Sequence, residues 1–265
     1  MNRNELFDVS GHVAFVTGAA SGLGLAFAEV MAANGARVTL ADADAAGLGK
    51  VVERLRAAGM NVEGEVFDVA DSGALQAAVD KTAQRGGRLD AVFANVGISS
   101  GPGFEVADTG CIEALDPDTL QRVIDINLKA SLYTMKFAVP HMKKRRSGSI
   151  VVTTSIAGIK AEPVVGYPYI ATKAAMANVV RQAAVELAPH NIRVNAIAPG
   201  PFYTNIRGGV MYRDPDVVKR FEAMVPMGRC AQTDEIKGLA LLLASPAASY
   251  ITGTVIPIDG GTTAR

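Results

Sequence analysis

Tyr169 and Lys173 stand four residues apart in the stretch YPYIATK, which covers residues 167–173. In a helix, positions i and i+4 lie on one face about 6 Å apart, so the phenol and the ammonium would be neighbours. Tyr167 would project about 200° away from Tyr169 around the same helix. A tyrosine has an ordinary pKa of about 10, and a nearby positive charge stabilises its phenolate. The pattern therefore predicts Tyr169 as an acid–base group and Lys173 as its electrostatic activator.

Two further residues could complete a reaction centre. Ser155 ends a predicted strand before the helix that carries Tyr169. Because the ends of parallel strands converge on one crevice, its hydroxyl could hold the same carbonyl or alkoxide oxygen. Asn127, in DINLK, falls inside a predicted helix, where a polar side chain either faces solvent or joins the site. A Tyr-x-x-x-Lys spacing alone also arises by chance on solvated helix faces, so the argument depends on the four residues together.

A glycine-rich turn follows the first predicted strand. The stretch TGAASGLG, residues 17–24, places glycines at positions 18, 22 and 24 between that strand and a helix. Glycine lets the backbone turn tightly and approach a phosphate, and a helix start offers free N–H groups and a positive dipole end. The G-x-x-x-G-x-G spacing differs from the common dinucleotide fingerprint, and a tight turn without a ligand is the alternative.

Asp42 closes the second predicted strand, 18 residues after Gly24. This is near the offset at which a carboxylate meets the ribose hydroxyls of a dinucleotide. A carboxylate would repel a 2′-phosphate, and neither Ser21 nor Ala43 supplies a cation to attract one. The sequence therefore favours NAD over NADP. Asp42 could instead cap a helix, a role that Asp44 can fill.

Asp68 ends the third predicted strand in FDVAD. Ligands of such sheets bind at the carboxyl ends of the strands, where this side chain could accept a hydrogen bond from an adenine amino group. Val69 would contribute its backbone at the same point. Helix capping is the alternative for Asp68, although Asp71 is the better-placed cap.

Apolar runs alternate with helical patterns along the chain. This alternation predicts an α/β fold, a doubly wound parallel sheet of Rossmann type with seven strands. No linker interrupts residues 1–265, so we expect one NAD(P)-binding domain. The predicted strands cover residues 12–17, 36–42, 61–69, 89–95, 149–155, 191–199 and 254–258. The predicted helices cover residues 23–34, 44–58, 71–85, 117–144, 167–188 and, capped by Thr233, 233–244.

Two long segments interrupt the alternation. Residues 97–116 are rich in glycine and proline and are predicted to form a loop that is either functional or mobile. Residues 201–229 are predicted to be irregular and to form a lid over the substrate. The apolar side chains of this lid favour a substrate with a hydrophobic ring or aliphatic body. The alternative is that they only pack the lid or a subunit contact. Two arginines of the same segment could meet an anionic group. These residues are Phe202, Tyr203, Ile206, Met211, Tyr212, Phe221 and Met224, with Arg207 and Arg213.

The composition is that of an ordinary globular protein. Hydrophobic residues make up 49% of the 265 positions and charged residues 20%, with a formal net charge of +0. No long-range field would therefore attract nucleic acid or an anionic membrane. No apolar run approaches the roughly 20 residues of a membrane span, and the first residues lack the apolar core of a signal peptide. Two cysteines, Cys111 and Cys230, fit a reducing compartment. We expect a cytoplasmic protein without a metal site.

Taken together, these motifs resemble those of the short-chain dehydrogenase/reductase family, classical branch. The resemblance is carried by TGAASGLG, by ANVG at residues 94–97, by Asn127, Ser155 and Tyr169-x-x-x-Lys173, and by the PG of IAPGPFYT. It covers essentially the whole chain in the family's order. It implies transfer of a hydride between NAD and a secondary alcohol or ketone, a strand order of 3-2-1-4-5-6-7, and a homotetramer.

The resemblance also implies a role for each matching residue. Asn127, Ser155, Tyr169 and Lys173 would form the catalytic tetrad, with Asn127 and Lys173 joined through water in a proton relay. Tyr169 and Lys173 would also contact the cofactor. The pyrophosphate would lie on the glycine turn, and further residues would flank the adenosine ribose or line the nicotinamide side. The residues of the glycine turn are Gly18, Ser21, Gly22, Leu23 and Gly24. Those that would flank the ribose are Asn95 and Gly97, and those that would line the nicotinamide side are Pro199, Gly200, Phe202 and Thr204.

The chain departs from the family pattern at a few positions. Ala94 stands where the family often has asparagine, Val96 is bulkier than the usual alanine, and Thr153 replaces another frequent asparagine. None of these changes removes a reacting group. Three alternatives are an NADPH-dependent 3-oxoacyl-(acyl-carrier-protein) ketoreductase, a catalytically silent NAD-binding regulator, and a nucleotide-sugar epimerase. Asp42 argues against the first, the intact tetrad against the second, and the short C-terminal region against the third.

Overall fold

The fold, in a computed structural model that describes residues 2–206, 209 and 213–265, is built on one parallel sheet. Its strands are β1 (Val13–Thr17), β2 (Arg37–Asp42), β3 (Val62–Val66), β4 (Ala91–Ala94), β5 (Gly148–Thr153), β6 (Ile192–Pro199) and β7 (Val255–Ile258). Neighbouring strands pair in the order β3-β2-β1-β4-β5-β6-β7, and every pairing is parallel. This confirms the predicted doubly wound sheet and its strand order.

Helices cover both faces of the sheet. They are α1 (Arg3–Leu6), α2 (Gly22–Ala33), α3 (Ala45–Ala57), α4 (Ser72–Gly86), α5 (Pro117–Val123), α6 (Ala130–Arg145), α7 (Tyr167–Leu187), α8 (Pro215–Met224) and α9 (Lys237–Ala244). Buried side chains of α2, α3 and α9 form the core on one face, and those of α4, α6 and α7 form the core on the other. Strand β1 alternates between them, since Ala14 and Val16 belong to the first core and Val13 and Phe15 to the second. Burial on both faces explains why the strands read as continuous apolar runs.

Two predicted helix starts are reproduced closely. Asp44 caps α3 by accepting from the Gly47 N–H at 3.0 Å. Asp71 caps α4 by accepting from the Gly73 and Ala74 N–H groups at 2.9 and 3.0 Å. These bonds satisfy amides that have no partner within the helix. The capping roles that Asp42 and Asp68 could have filled therefore belong to Asp44 and Asp71.

Three local predictions are wrong. Residues 201–229 are not irregular throughout, because Pro215–Met224 forms α8, which Asp214 caps and a proline begins. The predicted helix over residues 117–144 is divided by a π-helical turn, Ile124–Lys129, between α5 and α6. Thr233 is the first residue of a 3-10 turn, Thr233–Ile236, and not its cap; the Glu235 carboxylate closes this start by accepting from the Gln232 N–H at 2.8 Å.

The carboxyl ends of the central strands meet at one edge of the sheet. The glycine turn follows β1 there, and the loops after β4, β5 and β6 leave from the same edge. Residues 97–116, after β4, include two short 3-10 turns and pair through Pro102 with Val165 in the loop after β5. Across residues 2–206, 209 and 213–265, no helix is both long enough and apolar enough to cross a bilayer.

Candidate active site

A cavity of about 1010 Å³ opens at the carboxyl edge of the sheet. Ligand sites commonly measure about 300–1,000 Å³, so this cavity lies at the upper end and has room for a ligand of dinucleotide size. It is lined by most of the residues that the sequence singles out. They are Gly18, Ser21, Gly22, Leu23, Asp42, Asp68, Val69, Asn95, Gly97, Ser155, Tyr169, Lys173, Pro199, Gly200, Phe202 and Thr204. Gly24 and Asn127 do not line it.

The glycine turn forms one wall of the cavity. Gly18 and Gly22 have φ angles of +66° and +58°, a left-handed conformation that favours glycine. Gly24 has a different role from the predicted ligand contact, because a Cβ there would collide with the Gly18 carbonyl oxygen. The first turn of α2 faces the cavity, and the Ser21 side chain before it makes no capping hydrogen bond. This wall fits a phosphate, which would find a close backbone and free amides.

Asp42 lies beside the glycine turn at the end of β2. Its Oδ2 accepts from the Ala20 N–H at 2.9 Å, and its Oδ1 accepts from the Asp44 N–H at 3.0 Å. These bonds hold the carboxylate against the cavity wall, where its remaining lone pairs can accept from hydroxyl groups. Asp68 is exposed at the end of the same wall and accepts from the Ala70 N–H at 2.9 Å.

Asn95 braces the centre of the site. Its Nδ2 donates to the carbonyl oxygens of Thr17 and Gly18 at 3.1 and 3.4 Å. Its Oδ1 accepts from the Thr153 hydroxyl at 2.9 Å. The side chain therefore ties the glycine turn to the end of β5. The threonine that departs from the family pattern completes this link, a function that the sequence analysis did not assign to it.

Tyr169 and Lys173 are neighbours in the first turns of α7. The Lys173 Nζ lies 5.5 Å from the centroid of the Tyr169 ring and donates to the Thr153 carbonyl oxygen at 2.8 Å. Lys173 is 3% exposed, whereas Tyr167 is 38% exposed and does not line the cavity. The structure thus places Tyr169 and Lys173 on the cavity side of the helix and Tyr167 toward solvent, as their spacing predicts.

Burial shifts the protonation of Tyr169 and Lys173. Burial raises the pKa of Tyr169, and a hydrogen bond with Ser155 opposes that rise. Burial also lowers the pKa of Lys173 to about 8. With the protein groups alone, the pKa of Tyr169 lies above its ordinary value, and the role of Lys173 as its electrostatic activator stays a prediction. Desolvation disfavours the charged forms of both residues.

Ser155 and Asn127 approach this pair from two other elements. Ser155 is 8% exposed at the end of the β5 segment, where its hydroxyl faces Tyr169 and accepts from the Ala157 N–H at 3.2 Å. Asn127 is fully buried in the π-helical turn. Its Oδ1 accepts from the Ile98 N–H at 2.8 Å, and its Nδ2 donates to the Ile98 carbonyl at 3.0 Å. The amide of Asn127 thereby holds the loop after β4, and the proton relay through water stays a prediction.

Gly97 separates Asn127 from Lys173. A Cβ on Gly97 would lie 3.2 Å from the Lys173 Nζ and 3.5 Å from the Asn127 Oδ1. These distances are at or below ordinary van der Waals contact, so a larger residue would push against the lysine. The absence of a side chain at Gly97 therefore keeps the space beside the Lys173 Nζ and the Asn127 Oδ1 open.

The segment after β6 contributes apolar side chains to the cavity. Phe202, which is 6% exposed, lines it together with Ile206. Phe221 and Met224 reach it from α8. Tyr203 instead donates to Glu222 at 3.3 Å, and Arg213 is exposed. Arg207, Met211 and Tyr212, which the sequence analysis assigns to the lid, lie outside the described residues.

Sequence reasoning missed several residues of this site. The Ser100 hydroxyl accepts from the Tyr169 N–H at 3.3 Å and fixes the start of α7 against the loop after β4. Glu162 is a buried carboxylate on the cavity wall. The signal that could have revealed it is its charge, in the otherwise apolar stretch AEPVV that leads to Tyr169. No group of three or more metal-ligating side chains occurs in the described part of the chain.

Comparisons with known proteins find relatives that match nearly the whole chain. A family model described as Enoyl-(Acyl carrier protein) reductase matches residues 18–263. Cis-4-hydroxycyclohexanecarboxylate dehydrogenase from Sinomonas cyclohexanicum is 38% identical over 95% of this chain and 96% of that protein. Galactitol 2-dehydrogenase (L-tagatose-forming) from Cereibacter sphaeroides is 35% identical over 99% of both.

Solved structures share the fold. A 3-oxoacyl-[acyl-carrier protein] reductase with bound NAD from Brucella melitensis superposes with a TM-score of 0.85 and 33% identity, covering 97% of this chain and 93% of that one. The family match and these relatives extend over nearly the whole sequence. The chain therefore belongs to the short-chain dehydrogenase/reductase family and is an oxidoreductase of secondary alcohols and ketones that uses a nicotinamide cofactor.

Proposed function

We propose that the chain is an NAD-dependent dehydrogenase that interconverts a secondary alcohol and its ketone, with Asn127, Ser155, Tyr169 and Lys173 as its catalytic group. One observation carries the proposal. Tyr169 lines the same cavity as the glycine turn and Asp42. Its phenol forms a hydrogen bond with Ser155, and the centroid of its ring lies 5.5 Å from the Lys173 Nζ. An acid–base group thus shares one cavity with a wall that suits a dinucleotide.

The residues on the cavity wall fit the cofactor. The glycine turn and the start of α2 would hold the pyrophosphate, Asp42 the adenosine ribose, and Asp68 with Val69 the adenine. Asn95 and Gly97 would flank the ribose, and the nicotinamide would lie by Pro199, Gly200, Phe202 and Thr204. Once bound in its oxidised form, the nicotinamide supplies the hydride acceptor and a positive charge. The carboxylate of Asp42 favours a free ribose hydroxyl pair over a 2′-phosphate, which supports NAD over NADP.

The reacting residues have distinct roles in the oxidation of an alcohol. The Ser155 hydroxyl holds the carbinol oxygen, and the Tyr169 phenolate accepts its proton. Because burial raises the pKa of Tyr169, its phenolate needs nearby positive charge, which Lys173 supplies in part. Lys173 is held in place by the Thr153 carbonyl. Asn127 positions the loop after β4, which carries Ser100 against Tyr169.

The surroundings of the site have proposed roles as well. Residues 201–229 would form a lid, since Phe202 from the strand end and Phe221 from α8 line the cavity. We further propose a single domain over residues 1–265 that acts as a homotetramer in the cytoplasm. Val185 on α7 is 75% exposed and Tyr250 is fully exposed, and apolar side chains of this kind would suit a subunit contact. Light scattering coupled to size-exclusion chromatography would measure the assembly.

A second candidate is an acyl-chain ketoreductase. It is favoured by the resemblance to the 3-oxoacyl-[acyl-carrier protein] reductase from Brucella melitensis, which was solved with NAD bound. The two candidates differ in substrate, so reduction of acetoacetyl thioesters measured beside oxidation of secondary alcohols separates them. A dehydrogenase of free alcohols should oxidise small alcohols with NAD and show little activity on the thioester.

The test compares the two tyrosines at the start of α7. Tyr169→Phe removes the proposed base and should abolish NADH formation from secondary alcohols while leaving NAD binding intact. Tyr167→Phe is the matched control, because Tyr167 is exposed and does not line the cavity. A panel of ring alcohols, polyols and hydroxy acids supplies the substrates. Retained turnover in Tyr169→Phe would refute the assignment.

A further inference from the structure

Glu162 is a carboxylate in an unusual position. It lies in the loop between Ser155 and Tyr169, is only 7% exposed, and lines the same cavity as both residues. Buried glutamates are rare unless they are paired. Burial raises the pKa of Glu162, with Lys160 opposing the rise and Glu105 adding to it. No step of the proposed oxidation uses this side chain.

The Glu162 carboxylate has no partner within the described residues. No hydrogen bond or ion pair with it occurs there, although Lys160 is two positions away. The Lys160 ammonium instead donates to the Thr262 carbonyl at 3.4 Å. In the described chain, two side-chain polar atoms are both shielded from solvent and without a hydrogen bond, His12 Nδ1 and Arg193 Nη1. The Glu162 oxygens lack a hydrogen bond but are not shielded in this way. The oxygens of Glu162 therefore reach the cavity, where a bound molecule can supply a partner.

Glu162 lies on the part of the cavity wall that the loops after β4 and β5 form, whereas the glycine turn follows β1. Its neighbour Val165 pairs with Pro102 of the loop after β4, and both Val165 and Thr262 line the cavity. Asp42 and Asp68 lie at the ends of β2 and β3, on the other half of the sheet. A molecule whose carbinol is held by Ser155 and Tyr169 would thus extend toward Glu162 and away from the proposed dinucleotide wall.

We propose that Glu162 is a specificity residue that accepts a hydrogen bond from a second hydroxyl group of the substrate, so that the enzyme prefers diols or polyols to hydroxy acids. The inference rests on the proposed oxidation of secondary alcohols and adds the substrate class. A carboxylate accepts hydrogen bonds from hydroxyl groups and repels another carboxylate. The apolar side chains of Phe221 and Met224 contact the body of the same molecule.

Arg122 is a cation of the cavity wall that could favour the opposite preference. It lines the cavity from α5 but is exposed, so solvent screens its charge. Glu162 is buried, and its charge acts in a medium of lower dielectric. The buried acid should therefore dominate over the exposed arginine in the choice between a neutral and an anionic substrate.

Three ring substrates that differ at one carbon test the proposal. They are cyclohexanol, cyclohexane-1,4-diol and 4-hydroxycyclohexanecarboxylate, assayed with NAD on the wild-type enzyme and on Glu162→Gln. We expect kcat/KM of the wild type to be highest for the diol and lowest for the carboxylate. A hydrogen bond to a charged group contributes about 1.5–3 kcal/mol, or about 10- to 100-fold in kcat/KM. Glu162→Gln should lower the diol-to-cyclohexanol ratio by about tenfold and raise the carboxylate-to-cyclohexanol ratio by a similar factor.

Two control variants separate this role from others. Glu105→Gln removes a nearby negative charge from an exposed residue outside the cavity, and it should leave both ratios unchanged. Arg122→Gln should also leave the diol preference in place. A wild-type preference for the carboxylate, or ratios that Glu162→Gln does not move, would overturn the proposal. A purely structural loss would lower all three rates together, and that outcome also contradicts it.

Binding provides a second measurement if none of the rings is oxidised. Calorimetric titration of cyclohexane-1,4-diol into the enzyme saturated with NADH should give about tenfold weaker binding for Glu162→Gln. Equal affinities would reject the role of Glu162. Failure of the proposed function has a different signature, because it would appear as turnover that survives Tyr169→Phe and not as a change in substrate ratios.

Discussion

The Lys173 ammonium lies 5.5 Å from the centroid of the Tyr169 ring, with the lysine buried and the tyrosine partly buried at the cavity wall. The Lys173 Nζ donates a hydrogen bond to the Thr153 carbonyl oxygen at 2.8 Å, at the end of β5. This geometry makes the protonation of Tyr169 and Lys173 sensitive to nearby charge. Burial disfavours the phenolate and the ammonium alike, so a further positive charge placed beside them changes their protonation more than it would at the surface.

Lys173 should leave a mark on stability as a function of pH. Its pKa in the folded chain is about 8, below the ordinary value of 10.5. Between these values the unfolded chain binds more protons than the folded one, so stability rises with pH. Below the folded pKa both states are protonated and the contribution is constant.

The comparison of wild type with Lys173→Met isolates this effect. From about pH 6.5 to about pH 9.5, the wild type should gain about 2 kcal/mol of unfolding free energy relative to the variant. Urea denaturation followed by circular dichroism at several pH values would measure it. Parallel curves for the two proteins would show that Lys173 keeps its ordinary pKa in the fold.

Asp42 should determine the choice of cofactor. Asp42→Asn keeps the shape of the side chain but removes the charge that repels a 2′-phosphate. We expect the ratio of kcat/KM with NAD to that with NADP to fall by about 10- to 100-fold, the range given by charge-assisted hydrogen bonds. Adding Ala43→Arg should lower the ratio further. Initial rates with both cofactors at a fixed alcohol concentration provide the measurement.

Asp44 supplies the control for that experiment. Asp42 also accepts from the Ala20 and Asp44 N–H groups, so its replacement loosens the glycine turn and can lower both rates. Asp44→Ala removes the cap of α3 and should cost about 1 kcal/mol of stability. The cofactor ratio of Asp44→Ala should nevertheless equal that of the wild type. A ratio unchanged in Asp42→Asn would place the adenosine ribose elsewhere.

The fold was predictable because its local signals agree with its topology. The apolar runs of the strands, Asp44 and Asp71 as helix caps, and glycines after helices all specify the same alternation of strand and helix. Where the signal was ambiguous, the prediction failed. The helix α8 lies in a segment rich in aromatic residues, and its Asp214–Pro215 start was the only clear indication.

The site was predictable in its spacing but not in its energetics. The i, i+4 relationship of Tyr169 and Lys173 follows from helix geometry alone. The direction of the Tyr169 pKa does not, because it depends on how completely other elements bury the phenol. The bond of Asn95 with Thr153 joins residues 58 positions apart, and no local pattern indicates such a contact. Glu162 escaped notice for the same reason, since its burial is a property of the assembled loops.

Two glycines in helices give a matched test of why the glycine turn needs its composition. Gly24 lies in α2, where a Cβ would collide with the Gly18 carbonyl oxygen and approach the Asn95 Nδ2 to 2.6 Å. Gly49 lies in α3, where a Cβ would meet nothing within 4 Å. The first position is restricted by tertiary packing, whereas the second is only a weak helix former.

Alanine at the two positions should therefore act in opposite directions. Gly24→Ala must displace the turn or the Asn95 brace, and we expect a loss of about 2–3 kcal/mol of stability together with weaker NAD binding. Gly49→Ala should gain about 0.5–1 kcal/mol, because alanine loses less backbone entropy in an exposed helix. Thermal unfolding gives the stabilities, and fluorescence titration with NADH gives the affinities. A Gly24→Ala variant as stable as the wild type, with equal affinity for NADH, would contradict this explanation. The glycine turn would then not depend on close packing of α2 against β1.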